Sequence, residues 1–164
     1  MAMADRTANT VWEGGLARGN GNLTLKSGAT GDLPVTWASR TERSDGKTSP
    51  EELVAAAHSS CFAMALSNEL GEGGNPPERL DVTATVTLDL VDGAPTVTTS
   101  KLTVRGRVPD IDQEEFEKAA QGAGENCPIS RALGGVDISV DAKLADGDSD
   151  GDDDSDSDDS DDDD

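Results

Sequence analysis

The chain is 164 residues long, with 34 acidic residues against 13 basic ones and a formal net charge of −21. Residues 146–164 hold 13 of the acidic side chains and no basic one, which leaves 21 acidic against 13 basic, or −8, for residues 1–145. That balance repels a phosphate backbone and excludes nucleic acid as a partner, and residues 1–145 suit one domain with a real core better than two small ones.

Five Lys against eight Arg, with the acidic excess reaching into the body of the chain, resembles the composition of proteins from salt-loving microbes. At molar salt such a charge keeps a protein hydrated while repulsion is screened to within a few ångströms. Residues 1–9 contain no apolar run of the secretory kind, so a cytoplasmic protein is expected, and two cysteines there point to redox chemistry before a structural staple. The Asn22-Leu23-Thr24 sequon is then silent.

Residues 10–16, 22–26 and 34–38 read as short extended stretches, separated by Gly14-Gly15, by Gly19-Asn20-Gly21 and by the glycine-containing run 28–32, all hairpin-turn signals. Trp12 and Trp37, half of the four aromatic residues, are expected to pack on or near the longest helix. Residues 39–47, polar and carrying Arg40 and Arg43, read as a loop leading into it.

That helix begins at Ser49, which caps the N–H of Glu52 while the Glu52 side chain reaches back in a capping box, with Pro50 at the first helical position. From Val54 to Leu66 it is apolar on nearly every side, interrupted only by His58, Ser59, Ser60 and Cys61, so it is expected to lie in a core. Its length approaches a membrane span, but His58, the serine pair and the glutamates at both ends oppose spanning, and Gly71 to Gly74 stop it. The result is a buried central helix with one thiol, Cys61, in its middle.

Residues 81–90 alternate Val82, Ala84, Val86, Leu88 and Leu90 with Asp81, Thr83, Thr85, Thr87 and Asp89, the clearest strand in the sequence. A turn over residues 91–95 leads into a second long strand, 96–108, whose apolar phase slips between Val97 and Leu102 and predicts a bulge. Residues 109–124 contain a second helix, with Asp112 as N-cap, Glu115 as its capping-box partner, and Phe116, Ala119 and Ala120 inward. Cys127 precedes Pro128 at the start of a short helix, and residues 136–143 alternate Val136, Ile138 and Val140 with Asp137, Ser139 and Asp141 as a last strand. The sum is an α+β domain over residues 1–145. Residues 146–164 form a low-complexity acidic tail expected to be disordered. Asp146, Asp148, Asp150 and Gly151 match the first half of a calcium loop, but Ser157 stands where a bidentate Glu is needed, so the tail reads as solvated and ion-condensing.

Two thiols form the one constellation with a mechanism. The thiolate is the form that attacks peroxide oxygen, and helix dipoles or nearby cations lower a thiol pKa from about 8.5 by one to several units. Cys127 has a helix start. Cys61, in mid-helix, needs a guanidinium, for which Arg40 is the natural candidate and Arg43 or Arg18 are substitutes.

The run over residues 50–67, PEELVAAAHSSCFAMALS, the later Asn126-Cys127-Pro128-Ile129-Ser130, and the opening Trp12-Glu13-Gly14 with Arg18-Gly19-Asn20-Gly21 together resemble the OsmC family, related to the Ohr organic hydroperoxide resistance proteins, over about residues 9–143. The resemblance implies a thiol-dependent peroxidase without a cofactor, folded as an intertwined homodimer in which antiparallel sheets from both chains wrap two long central helices. Cys61 matches the family's peroxide-attacking thiol, Cys127 the thiol that closes the disulfide, Glu51 its glutamate and Arg40 its arginine, although the loop over residues 40–50 is slightly longer than in typical bacterial members. The acidic tail has no counterpart. Glu51 and Cys61 are ten residues apart, about 15 Å along a helix. Each pocket is therefore expected to take Glu51 from the partner chain, where it orients Arg40.

The implied cycle forms a Cys61 sulfenic acid and releases an alcohol, condenses the sulfenic acid with Cys127, and ends on a small dithiol or lipoyl-type reductant. An apolar wall of Phe62, Met64 and the tryptophans is expected to favour organic hydroperoxides. A rival is a non-enzymatic OsmC-like module that binds a hydrophobic small molecule or senses redox state, oxidising once instead of turning over. The plain alternatives are a small core residue for Cys61, a helix-start residue for Cys127 and a solvated charge for Arg40. For His58 a satisfied, partly buried imidazole is favoured over a base or ligand. With the two thiols His58 would offer a metal only three ligands, with no close-spaced pair.

Overall fold

The computed structural model describes residues 1–145. Its elements run β1 (Ala8–Glu13), β2 (Asn20–Leu25), β3 (Leu33–Val35), α1 (Trp37–Thr41), α2 (Pro50–Glu72), β4 (Arg79–Val91), β5 (Ala94–Arg107), α3 (Gln113–Asn126), α4 (Pro128–Ala132) and β6 (Asp137–Leu144). The α+β class stands, with two three-stranded sheets ordered β1-β2-β3 and β4-β5-β6. The acidic tail and its half calcium loop lie outside the described residues.

The second sheet carries the core. Its register stacks Leu80, Gly106 and Leu144 in one row, Val82, Val104 and Ala142 in the next, and Ala84, Leu102 and Val140 in a third. These inward positions meet α2 and α3, while Thr83, Thr85 and Thr87 alternate outward, as period two requires. Asp92 and Gly93, both at positive φ (52° and 80°), close β4 to β5 with a two-residue turn of the kind that matches strand twist. The expected bulge is present: Thr87 pairs Thr99 and Leu88 pairs Val97, so Thr98 is the extra residue. One pairing departs from antiparallel order. β6 lies parallel to β5, because α3 and α4 carry the chain back across the sheet before it enters.

Gly106 is the inward residue of β5 that has no side chain, and a Cβ there would run into the ring of Phe116. Phe116 fills that space and is fully buried with Ala120 and Ala123 on the inner stripe of α3. Asp112 caps α3 through the N–H of Glu115 at 2.8 Å, the half of the expected capping box that forms.

α2 corrects one expectation. Its buried residues His58, Phe62, Leu66 and Leu70 recur every four positions and face the second sheet and α3. Ala56, Ser60 and Met64 recur with the same period on another face and are exposed, Met64 at 68%. The helix is apolar nearly all round, yet among the described residues no element covers that face.

The N-terminal sheet is mostly exposed, β1 entirely so. Trp12 lies across Gly19 and Gly21, where an added Cβ would come within 2.9 Å of its ring. Its indole N–H donates to the Gly14 carbonyl at 2.9 Å, and it is 40% exposed. The hairpin's own glycines, not the long helix, make its bed. The end of the expected third strand and the start of the expected loop are instead α1, closed by a capping box between Thr36 and Ser39. A short Thr-x-x-Ser box inside a polar run carries too little apolar periodicity to be read as a helix.

Candidate active site

α1 and the start of α2 are fastened together by polar contacts. The Ser39 hydroxyl donates to the Thr48 carbonyl at 2.9 Å, and the Thr48 N–H donates to the Pro34 carbonyl at 3.0 Å. Ser49 accepts the N–H of Glu52 at 3.1 Å, as its cap position demands. The Glu52 carboxylate does not close the box on the cap backbone. It accepts the Thr48 hydroxyl at 2.6 Å, which reaches it from one residue before the cap.

Glu51, free of that duty, turns to Arg40. The guanidinium donates through Nε to Oε1 at 2.9 Å and Oε2 at 3.2 Å, and through Nη2 to Oε1 at 2.7 Å. Such a forked pairing holds the guanidinium plane as a single contact would not. The side chains are 29% and 10% exposed. Trp37 adds its ring at 5.8 Å from the Arg40 carbon. Beside Arg40 lies a cleft of about 350 Å³ lined by Trp37, Leu88, Leu90 and Pro95. Arg40 and Glu51 therefore pair within one chain, whereas the sequence predicts a Glu51 that reaches Arg40 from a partner. Ten helical residues, about 15 Å, still separate this pair from Cys61 of the same chain.

Cys61 and Cys127 are unpaired thiols that face each other, Cys61 partly exposed and Cys127 fully buried. α2 positions the first. The second sits at the junction of α3 and α4, where its N–H donates to the Ala123 carbonyl at 2.9 Å and Pro128 starts the next helix. Burial pushes the Cys61 thiol above its ordinary value, the backbone N–H of Ile129 draws it back, and the adjoining Cys127 raises it again. For Cys127 burial also opposes ionisation, but the Ser130 N–H, the Cys61 thiol, the Ser130 hydroxyl and the Ile129 N–H outweigh it, so its pKa is lowered.

His58 is fully buried and satisfied on both sides: Nδ1 lies 2.7 Å from Ser100 Oγ, and Nε2 lies 2.8 Å from Ser130 Oγ. Both ring nitrogens are thus taken by hydroxyls. Among the described residues no group of three or more His, Cys, Asp or Glu is placed to hold a metal ion. Ser100 and Ser130 were not singled out from sequence. Ser100 carried a signal, a polar residue at the inward phase of β5 opposite Val86 and Ile138. Phe62 is also fully buried, in the core face of α2, so it lines no wall beside Cys61.

Burial pushes the His58 pKa below 6.5. A depressed folded-state pKa means that the unfolded chain binds the proton more readily, so this stability is present above pH 6.5 and is lost as pH falls through the folded value. His58 is the only histidine. Urea midpoints are expected to fall between pH 7.5 and 5.5, and His58→Gln is expected to flatten that slope.

The sequence over residues 43–141 matches the family model for OsmC-like protein. The chain is 41% identical over 133 residues to Peroxiredoxin OsmC of Escherichia coli strain K12, covering 81% of this chain and 92% of that protein. It is 27% identical over 143 residues to organic hydroperoxide resistance protein OhrB of Bacillus subtilis strain 168, covering 86% of this chain and all of that protein. The crystal structure of Bacillus subtilis OhrB superposes with a TM-score of 0.67 at 28% identity, covering 84% of this chain and 98% of the other. This chain belongs to the OsmC-like family. Among the described residues no helix is long and apolar enough to cross a membrane.

Proposed function

We propose that the chain is a thiol-dependent peroxidase that reduces organic hydroperoxides in defence against oxidative and osmotic stress. The observation that carries this reading is the meeting of two unpaired thiols, one partly exposed and one buried, across α2 and α4. Peroxiredoxin OsmC and the organic hydroperoxide resistance proteins, the relatives by name, support it.

Access assigns the roles. Cys61, the partly exposed thiol, attacks the distal peroxide oxygen as thiolate, the O–O bond breaks and the alcohol leaves with a proton. Buried Cys127 then closes a disulfide on the Cys61 sulfenic acid, and a small dithiol or lipoyl-type thiol reopens it. Two free thiols suit a reducing cytoplasm.

A homodimer supplies what one chain lacks. The exposed Ala56, Ser60 and Met64 face of α2 and the exposed N-terminal sheet are the surfaces that a second copy would cover. There the Arg40–Glu51 pair of one chain would lie beside Cys61 of the other, bringing the guanidinium that lowers its pKa and the Trp37 cleft that receives the organic group. Arg40→Ala and Glu51→Ala are each expected to lower kcat/KM for an organic hydroperoxide by roughly 10- to 100-fold, the loss of one charge-assisted bond or its support. Arg43→Ala and Arg18→Ala should change it little. Steady-state assays with excess dithiol decide, and a fully active monomer would contradict the shared site.

A further inference from the structure

We propose that His58 is a positioning residue for Cys127: held between two buried serines, it fixes the Ser130 hydroxyl so that its hydrogen is directed at the Cys127 sulfur. Ser100 is fully buried and Ser130 is 6% exposed, so water does not compete for either contact. Ser130 stands three residues after Cys127, on the turn that begins α4; its Oγ meets the imidazole at 2.8 Å, and its hydroxyl is a side-chain hydrogen-bond partner of Cys127.

A neutral imidazole carries one N–H, and its position decides what Ser130 can do. With the hydrogen on Nε2, the ring donates to Ser130 Oγ, Ser100 donates to Nδ1, and the Ser130 hydrogen is free for a Cys127 thiolate. With it on Nδ1, Ser130 must donate to Nε2, and the Cys127 S–H donates to the Ser130 oxygen instead. The two tautomers thus match the two protonation states of Cys127. Burial keeps the ring neutral, as both states require. The groups that set the Cys127 charge are Cys61 on α2, with Ser130 and Ile129 on α4, and β5 offers the uncharged Ser100; among the described residues no carboxylate or cation is one of them.

Within the peroxidase reading, on which this step rests, the Cys127 thiolate attacks the sulfur of the Cys61 sulfenic acid. The S–S bond forms as the S–O bond breaks, Cys127 sulfur is oxidised and Cys61 sulfur reduced, and hydroxide leaves and takes a proton to become water. That proton balances the one Cys127 gave to solvent on ionising. The hydrogen-bond relay itself does not depend on peroxide chemistry.

The test titrates thiolate absorbance in the full-length reduced chain carrying Cys61→Ser, where Cys127 is the only thiol. Ser130→Ala and His58→Leu are expected to raise its apparent pKa by about one unit or more, a roughly tenfold loss of thiolate at a given pH. His58→Gln, whose amide keeps an N–H for Ser130, is expected to restore most of it. Ser130→Ala removes one oxygen and decides the matter if His58→Leu does not fold. An unchanged titration in Ser130→Ala, or His58→Gln titrating like His58→Leu, overturns the proposal. In the chain with both cysteines, Ser130→Ala is expected to slow disulfide closure about tenfold without slowing formation of the sulfenic acid. A chain whose Cys127 titration shifts as expected but which never consumes a hydroperoxide keeps the relay and removes the peroxidase reading.

Discussion

Cys61→Ser is expected to lower organic hydroperoxide consumption by a factor on the order of 10³ or more, the scale seen when a covalent nucleophile is removed. A serine hydroxyl is scarcely ionised at neutral pH and forms no sulfenic acid, so neither half of the cycle survives. Cys127 cannot substitute despite its lower pKa, because it is fully buried while Cys61 is partly exposed. Cys127→Ser should behave differently, accepting one equivalent of peroxide at Cys61 and then turning over slowly. Equal loss in both variants at the first oxidation would contradict the assigned order. The substitution removes little volume, and unchanged urea midpoints would tie the loss to chemistry and not to folding.

Phe116→Ala is expected to be the most damaging single change in the core, at about 3–5 kcal/mol. Its ring occupies the space left by Gly106 and is fully buried, and the other buried residues of α3 are Ala120 and Ala123. With no second large side chain to hold that helix on the sheet, the cavity cannot close cheaply. For a domain of this size the melting temperature should fall by roughly 10 °C or more, read at fixed protein concentration because the proposed dimer would link stability to mass action. Cys127 ends α3, so the variant should also close its disulfide more slowly. A loss below about 1 kcal/mol would mean that α3 is held by something other than this ring.

The long strands, the Thr98 bulge, both thiols and the capped starts of α2 and α3 were legible because each rests on local pattern: period two, a phase slip, or a cap three residues from its target. Glu51 could be told from Glu52 only in part: Ser49 caps the Glu52 N–H as expected, but the Glu52 carboxylate takes the Thr48 hydroxyl and not the cap backbone, while Glu51 goes to Arg40. Three things were not legible. α1 is a single polar turn, held by Thr36, Ser39 and Thr48 and not by apolar spacing. The Arg40–Glu51 pairing within one chain depends on how α1 folds back onto α2, which no spacing records. The serine partners of His58 come from β5 and α4, 42 and 72 residues away, so only the assembled fold brings them to the ring.

The direction of α2's burial was legible only in part. An almost uniformly apolar helix predicts burial on all sides, whereas the folded chain buries one face and leaves Ala56, Ser60 and Met64 in solvent. The homodimer proposed above would cover Met64 and the small Ala56 and Ser60 beside it, which would make the all-round apolar pattern consistent.

The measurement that bears most directly on the two-thiol cycle is the intact mass of the reduced chain after one equivalent of an organic hydroperoxide, followed by excess dithiol and further peroxide. The account predicts loss of two hydrogens per chain, a Cys61–Cys127 cross-link in the peptide map, recovery of the reduced mass with dithiol, and repeated consumption of peroxide. Persistent oxygen addition at Cys61 with Cys127 still free, or a single oxidation that dithiol reverses without further turnover, would contradict it.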